Sequence, residues 1–161
     1  MTLRGPILLD PSHITEGFDS GKPSLDEWLR RRGTANQRSG ASRTWVVIDE
    51  EDRVVGYYAS ATASIARAVA TKRAARNQPE DIPAVLLARL AADQHYQGRG
   101  LASALLKHFL LKALEVAAIV GARVVLVHAQ DDEAKAFYLH HDFEPSPLDD
   151  LTLMRPIADL A

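Results

Sequence analysis

Leu90-Ala-Ala-Asp-Gln-His-Tyr-Gln-Gly-Arg-Gly-Leu-Ala102 is the stretch whose reading decides the fold. It begins as the tail of an apolar run, Ala84 to Asp93, which predicts a strand. It tightens at Gln97-Gly-Arg-Gly100 and opens into a segment with apolar residues at 101, 105, 106, 109, 110, 113, 114 and 117, one stripe of a helix reaching about Val120. Gly121 stops that helix. The first turn of a helix exposes unpaired N–H groups and the positive end of the macrodipole. Glycines let backbone approach an anion with no Cβ in the way. Strand, glycine turn and helix together therefore point to a phosphate or pyrophosphate site, with a plain tight turn as the alternative. The dinucleotide fingerprint G-x-G-x-x-G is excluded by the missing third glycine, and the P-loop by the absence of Lys-Ser/Thr.

Outward from this unit, Pro6–Asp10 reads as a first strand, and Pro23-Ser-Leu-Asp-Glu-Trp-Leu opens a helix with a capping-box pattern at Ser24 and Glu27. Gly33 weakens that helix and Gly40 lies past its end. Arg43–Asp49 and Arg53–Thr62 form a hairpin across the polar turn Glu50-Glu-Asp52. Residues 65–82 read as a mobile excursion that holds a helical turn. Arg123–Ala129 is a buried strand, Asp131 to about His140 a further helix, and the segments starting at Phe143 and Leu151 two last strands. The order predicts an α/β (α+β) fold with a mixed, mostly antiparallel sheet flanked by helices, in one domain spanning 1–161. Trp28 and Trp45 sit on apolar faces and are read as core.

Composition sets limits. The 161 residues are 47% hydrophobic and 25% charged, which suits one soluble domain. The absence of cysteine excludes disulfides, a thiol nucleophile and zinc–thiolate sites, and no metal site is expected. No apolar run approaches the ~20 residues of a membrane span, and no secretory signal is visible, so a cytoplasmic protein without a membrane partner is expected. The net charge of −2 hides an asymmetry. Residues 1–80 carry 12 Lys/Arg against 10 Asp/Glu, whereas residues 81–161 carry 7 against 11. Two stretches of the first half lack acids: Arg30, Arg31, Arg32, Arg38 and Arg43 lie in one, Arg53, Arg67, Lys72, Arg73 and Arg76 in the other. Such clusters form either a phosphate-binding face or ordinary solvated surface.

Gln97-Gly-Arg-Gly-Leu-Ala102 resembles the Q/R-x-x-G-x-G/A pyrophosphate loop of the GNAT acyltransferases, and Asp131-Asp-Glu-Ala-Lys-Ala-Phe-Tyr-Leu-His-His-Asp-Phe143 resembles that family's N-x-x-A-x-x-[FL]-Y-x-x-x-G-F segment. The resemblance implies the GNAT fold, a splayed sheet that takes acetyl-CoA between two central strands. It implies that the backbone of Leu90, Ala91 and Ala92 holds the pantetheine arm. It also implies that Gln97, Gly98, Arg99, Gly100, Leu101 and Ala102 wrap the pyrophosphate. Asp131 stands where the family often has Asn at the pantetheine, Phe137 packs near the cofactor, and Tyr138 protonates the leaving thiolate. His141-Asp142 replaces the usual x-Gly before Phe143.

The substrate amine must be neutral to attack. A lysine amine at pKa ~10.4 needs a strong base, whereas an α-amine at ~7.7–8.0 does not. Ala84–Ala92 holds no carboxylate, and its one ionisable side chain is Arg89, which favours an α-amine. A water relay from His95, His128 or Glu133 remains an alternative. The segments Phe18–Leu29, Arg43–Val47, Val55–Ala59, Arg89–Asp93 and Pro145–Met154 resemble the toxin branch of GNAT enzymes. The resemblance implies acetylation of the free α-amine of aminoacyl-tRNA, a block in translation, a ribbon-helix-helix antitoxin and a homodimer. On that basis Arg30, Arg31, Arg38, Arg43, Lys72, Arg73, Arg76 and Arg89 are candidates for tRNA contact, with Arg89 equally a buried partner of a carboxylate. An acetyltransferase for a small amine or a protein N-terminus is the second reading.

Overall fold

β-branched and aromatic residues on either side of a polar turn make strands β2 (Arg43–Ile48) and β3 (Val54–Ala66) a hairpin. Asp49 closes the turn by accepting hydrogen bonds from the N–H groups of Glu51 and Arg53 at 2.8 and 3.0 Å. The register pairs Trp45 with Tyr58 and Val46 with Tyr57. The structure is a computed structural model and describes residues 2–160.

With β1 (Arg4–Leu8), β4 (Asp81–Ala92), β5 (Val124–His128), β6 (Glu144–Pro145) and β7 (Thr152–Pro156), the hairpin belongs to a seven-stranded sheet of order β1-β2-β3-β4-β5-β7-β6. β4 and β5 pair in parallel, as the long helix between them, α4 (Leu101–Val120), requires of a crossover. β1–β2, β2–β3, β5–β7 and β6–β7 are antiparallel, so the sheet is mixed and mostly antiparallel as expected. Pairing of β4 with β5 runs from Ala84↔Val124 to Leu87↔Val127, while β4 itself continues to Ala92. Among the described residues no helix is long and apolar enough to cross a membrane.

The chain divides into two compact units, whose boundaries fall inside β3, β4 and α4. The first holds the chain up to Ala61 together with Ala88–Phe109. Its core gathers Leu9, Phe18, Leu25, Leu29, Val46, Ile48, Val54 and Tyr57. Tyr57 stacks on Trp28 at 6.0 Å, meets Phe18 edge-on, and donates its hydroxyl to the Leu25 carbonyl at 2.7 Å. Trp28 is thus a core residue, though only half buried.

The helical run predicted from Pro23 is broken into α1 (Pro23–Trp28), a π-helical turn (Leu29–Gly33) and α2 (Thr34–Ser39). Gly33 is where the second turn meets the core: a Cβ there would lie 3.2 Å from Leu9 Cδ2. Gly40 ends α2 in the left-handed conformation, as expected. The capping box at Ser24 and Glu27 does not form. Pro23 occupies the first helical position, and Lys22 stands at the cap position with extended backbone and no side-chain capping bond. The carboxylate that organises this entrance is Asp26, which is buried and accepts from the Ser20 N–H at 3.0 Å and the Ser20 hydroxyl at 2.6 Å.

The second unit holds Thr62–Leu87 and the chain from Leu110 on. Its core gathers Ile65, Ala70, Ala74, Ile82, Ala84, Val124, Leu126 and Met154. The predicted excursion is more ordered than its composition suggests. β3 persists to Ala66, and α3 (Lys72–Ala75) follows, capped by the Thr71 hydroxyl on the Ala74 N–H. The Arg67 N–H closes the segment on the Glu80 carbonyl at 3.0 Å. Apolar anchors Ala70 and Ala74, buried under a polar surface, hold it. The helix predicted from Asp131 is α5 (Asp132–His140).

Replacing Asp26 by Ala strands two buried donors of Ser20. Urea denaturation is expected to show a loss of about 2–3 kcal/mol, with no loss if solvent replaces the carboxylate.

Candidate active site

In the first unit, β4 runs into a 3-10 turn (Gln94–Tyr96), the loop Gln97–Gly100 and the head of α4. Asp93 roots the turn. It accepts from the N–H groups of Asp19 and His95 at 3.0 Å each and from the His95 imidazole at 2.8 Å. Desolvation alone would raise its pKa, but these donors outweigh it and hold the carboxyl below its ordinary value. Gln97 binds the loop to its surroundings: Nε2 donates to the carbonyls of Ala92 at 3.0 Å and Ser20 at 3.1 Å. The Gln97 amide, expected at a pyrophosphate, is thus committed to bracing the loop.

Gly98 and Gly100 both take left-handed backbone, φ 78° and 79°, and a Cβ built on either meets nothing within 4 Å. Conformation, not crowding, is what requires glycine here, and the space above the loop is open. Among the described residues the N–H groups of Gly98, Arg99 and Gly100 donate to no backbone carbonyl. They stand at the positive end of a twenty-residue helix. Arg99 extends over the Tyr96 ring at 5.5 Å, beside a cleft of about 240 Å³ lined by these two residues, Leu3, Gly100, Leu101 and Ala104. The arrangement is an anion cradle made of backbone. At the end of β4, Leu90 is half buried and Ala91 and Ala92 are buried.

In the second unit, Asp131 caps α5 by accepting from the Ala134 N–H at 2.8 Å, so one of its oxygens serves the helix. Tyr138 is 5% exposed, with its ring edge-on to Phe137 at 5.2 Å and to Phe143 at 5.6 Å. Its hydroxyl has no hydrogen-bond partner among the described residues. Burial raises its pKa, so the phenol keeps its proton at neutral pH. The turn after α5 fixes this ring. Asp142 adopts φ 70°, the conformation glycine would take, and the N–H groups of His141 and Phe143 return to the Tyr138 carbonyl at 3.0 and 3.1 Å. The His141-Asp142 substitution therefore keeps the turn.

A constellation in the same unit had no sequence signal beyond one histidine. His128, last residue of β5, is paired in register with Thr152 of β7, and its Nδ1 lies 3.0 Å from Thr152 Oγ1. Thr152 Oγ1 in turn donates to Asp149 Oδ2 at 2.8 Å. Of the other relay candidates, His95 is held by Asp93, and Glu133 lies exposed in the first turn of α5.

The predicted cations divide between the units. In the first, Arg30, Arg31, Arg38 and Arg43 are exposed and Arg89 is half buried. Arg30 donates to the Phe18 carbonyl at 3.3 Å and Arg43 to the Gln37 carbonyl at 2.9 Å. Arg89 lies over the Trp28 ring at 5.4 Å and donates to its own Ala88 carbonyl. The expected carboxylate partner of Arg89 is absent among the described residues. None of these five arginines forms an ion pair there, and neither do Lys72 and Arg76 of the second unit. Arg73 differs: it is paired with both Glu144 and Asp159, so its charge is neutralised within the unit.

Glycine loop, helix, caged phenol and sheet order are those of an acyl-group transferase, and the comparisons agree. A family model of the acetyltransferase (GNAT) domain matches residues 40–145. A tRNA-acetylating toxin of Mycobacterium tuberculosis (strain ATCC 25618 / H37Rv) is 49% identical over 93% of this chain and 89% of its own length. The solved structure of AtaT complexed with acetyl-methionyl-tRNAfMet superposes with a TM-score of 0.89 at 26% identity, covering 99% of this chain and 96% of that one. AtaTR bound with AcCoA superposes at 0.82 and 26% identity, covering 99% and 95%. The chain belongs to the GNAT acetyltransferase family.

Gly98→Ala and Gly100→Ala are each expected to weaken acetyl-CoA binding about tenfold by calorimetry, from ~1–2 kcal/mol of left-handed strain. Unchanged affinity would remove the loop from the cofactor site. Asp93 has a depressed folded pKa, so the stability it contributes is present above its unfolded value of ~3.9 and lost as pH falls through the folded one. The melting-temperature gap between wild type and Asp93→Asn should therefore be full near neutrality and shrink below about pH 4.

Proposed function

We propose that this protein transfers the acetyl group of acetyl-CoA to the free α-amine of aminoacyl-tRNA and thereby blocks translation. The observation that carries this reading lies within the first unit: a donor-lined glycine loop at the head of α4 shares that unit with five arginines that form no ion pair among the described residues. One feature suits a thioester's diphosphate, the other a nucleic-acid backbone. The similarity to a tRNA-acetylating toxin and to AtaT with acetyl-methionyl-tRNAfMet supports the substrate.

In this scheme the N–H groups of Gly98, Arg99, Gly100, Leu101 and Ala102 hold the diphosphate, while Gln97 holds the loop. The backbone of Leu90–Ala92 holds the pantetheine arm, with Asp131 and Phe137 beside it. Tyr138 delivers its proton to the sulfur as the carbon–sulfur bond breaks, and burial keeps that proton in place until a thiolate forms. An α-amine attacks without a carboxylate base within Ala84–Ala92, where none is present. Arg30, Arg31, Arg38, Arg43, Lys72, Arg76 and Arg89 contact the tRNA. Arg73 serves the structure of its own unit. The two units act as one domain, since β3, β4 and α4 run through both. The protein works in the cytoplasm as a homodimer, and a ribbon-helix-helix antitoxin neutralises it.

Incubating the protein with labelled acetyl-CoA and total charged tRNA is expected to give RNase-sensitive label, while label confined to protein or small amines would overturn the substrate. Tyr138→Phe should still bind acetyl-CoA but turn over about 10²–10⁴-fold more slowly. A wild-type rate would assign the thiolate proton to another group.

A further inference from the structure

Attack by even a neutral amine leaves a proton on nitrogen that must depart before the amide is complete, and Tyr138 supplies a proton rather than taking one. The second unit contains a side chain prepared to take it. Asp149 accepts from the Thr152 hydroxyl and, at 3.1 Å, from the Leu151 N–H. These bonds, the hydroxyl first, hold its carboxyl below the ordinary range, so it is ionised and can only accept. The single hydroxyl proton of Thr152 is therefore committed to Asp149, and its oxygen is left as acceptor for His128. It follows that His128 carries a proton on Nδ1 and, when neutral, presents the lone pair of Nε2. The ring is exposed, and Nε2 has no partner among the described residues. Thr152, by contrast, is 3% exposed, so the support is buried and the basic nitrogen is open.

Placement supports the same role. β4 and β5 form the parallel pair of the sheet, and His128 stands one residue beyond its last paired position, Val127. Reactions on α/β sheets take place beyond the carboxyl ends of parallel strands. Three residues further on, Asp131 caps the helix that carries Tyr138.

We propose that His128 accepts, through Nε2, the proton released by the attacking amine, with Thr152 and Asp149 as positioning residues that hold its Nδ1–H. The inference rests on the acetyl transfer proposed above. In the step, the amine nitrogen bonds to the acetyl carbon and the carbon–sulfur bond breaks with its electron pair on sulfur. The amine proton passes to Nε2 and the phenol proton to sulfur. The resulting imidazolium and phenolate regain neutrality by proton exchange with water.

The test measures kcat for acetyl transfer, with acetyl-CoA affinity as the check on folding. His128→Ala is expected to lower kcat about 100-fold with acetyl-CoA affinity within about twofold of wild type. Thr152→Val and Asp149→Asn should each lower it about tenfold, and Thr152→Ser, which keeps the hydroxyl, should restore it. The double variant His128→Ala/Thr152→Val should be no slower than His128→Ala alone, since the support has nothing left to hold. Free imidazole should accelerate His128→Ala and leave Thr152→Val unchanged. A wild-type kcat in His128→Ala, or additive losses in the double variant, would overturn the proposal. Failure of the wild type to label charged tRNA would instead overturn the substrate reading. The same ratios are then read on whichever amine it does label, because the proton leaves nitrogen in either case.

Discussion

Three backbone N–H groups that no backbone carbonyl among the described residues takes, at Gly98, Arg99 and Gly100, set the terms for the first unit. Folded chains rarely leave donors unpaired unless water or a ligand meets them. Here two left-handed glycines shape the backbone at the positive end of α4, with open space where their Cβ atoms would lie. The side chains around the loop brace it. Gln97 reaches Ala92 and Ser20, and Asp93 gathers the N–H groups of Asp19 and His95.

The acids explain how a chain of net charge −2 keeps unneutralised arginines. Asp26, Asp49, Asp93, Asp131 and Asp149 all accept hydrogen bonds from backbone N–H groups at turns or helix ends. Each such carboxylate is taken up locally. The arginines of the first helical run are then exposed, whereas Arg53 pairs with Asp49 and Glu51, and Arg73 with the exposed Asp159 and half-buried Glu144. Charge counting along the chain could not separate Arg53 and Arg73, which are paired, from the other cations of their stretch.

The strand, glycine loop and helix at 90–102, the hairpin and the helix from Asp131 were legible because each follows from residues a few positions apart. The misread entrance to α1 shows the limit of such patterns. Ser24 and Glu27 have capping-box spacing, yet Pro23 takes the first helical position and the carboxylate in use is Asp26, facing Ser20 in the interior. The segment at 65–82 has the helical turn expected of it, α3, but is anchored where mobility was expected: its polar composition hid two alanines, Ala70 and Ala74, that hold it in the core.

Sequence alone determined the elements and the chemistry each can carry, since helix stripes, strand runs and glycine turns depend on neighbours within one or two turns of chain. Tertiary structure alone decided which of those groups act together. Thr152 meets His128 across 24 positions, Gln97 meets Ser20 across 77, and Arg73 meets Glu144 across 71. Strand register and core packing create those meetings, and hydrophobic periodicity records only which face of a strand is buried, never which residue of another strand stands opposite.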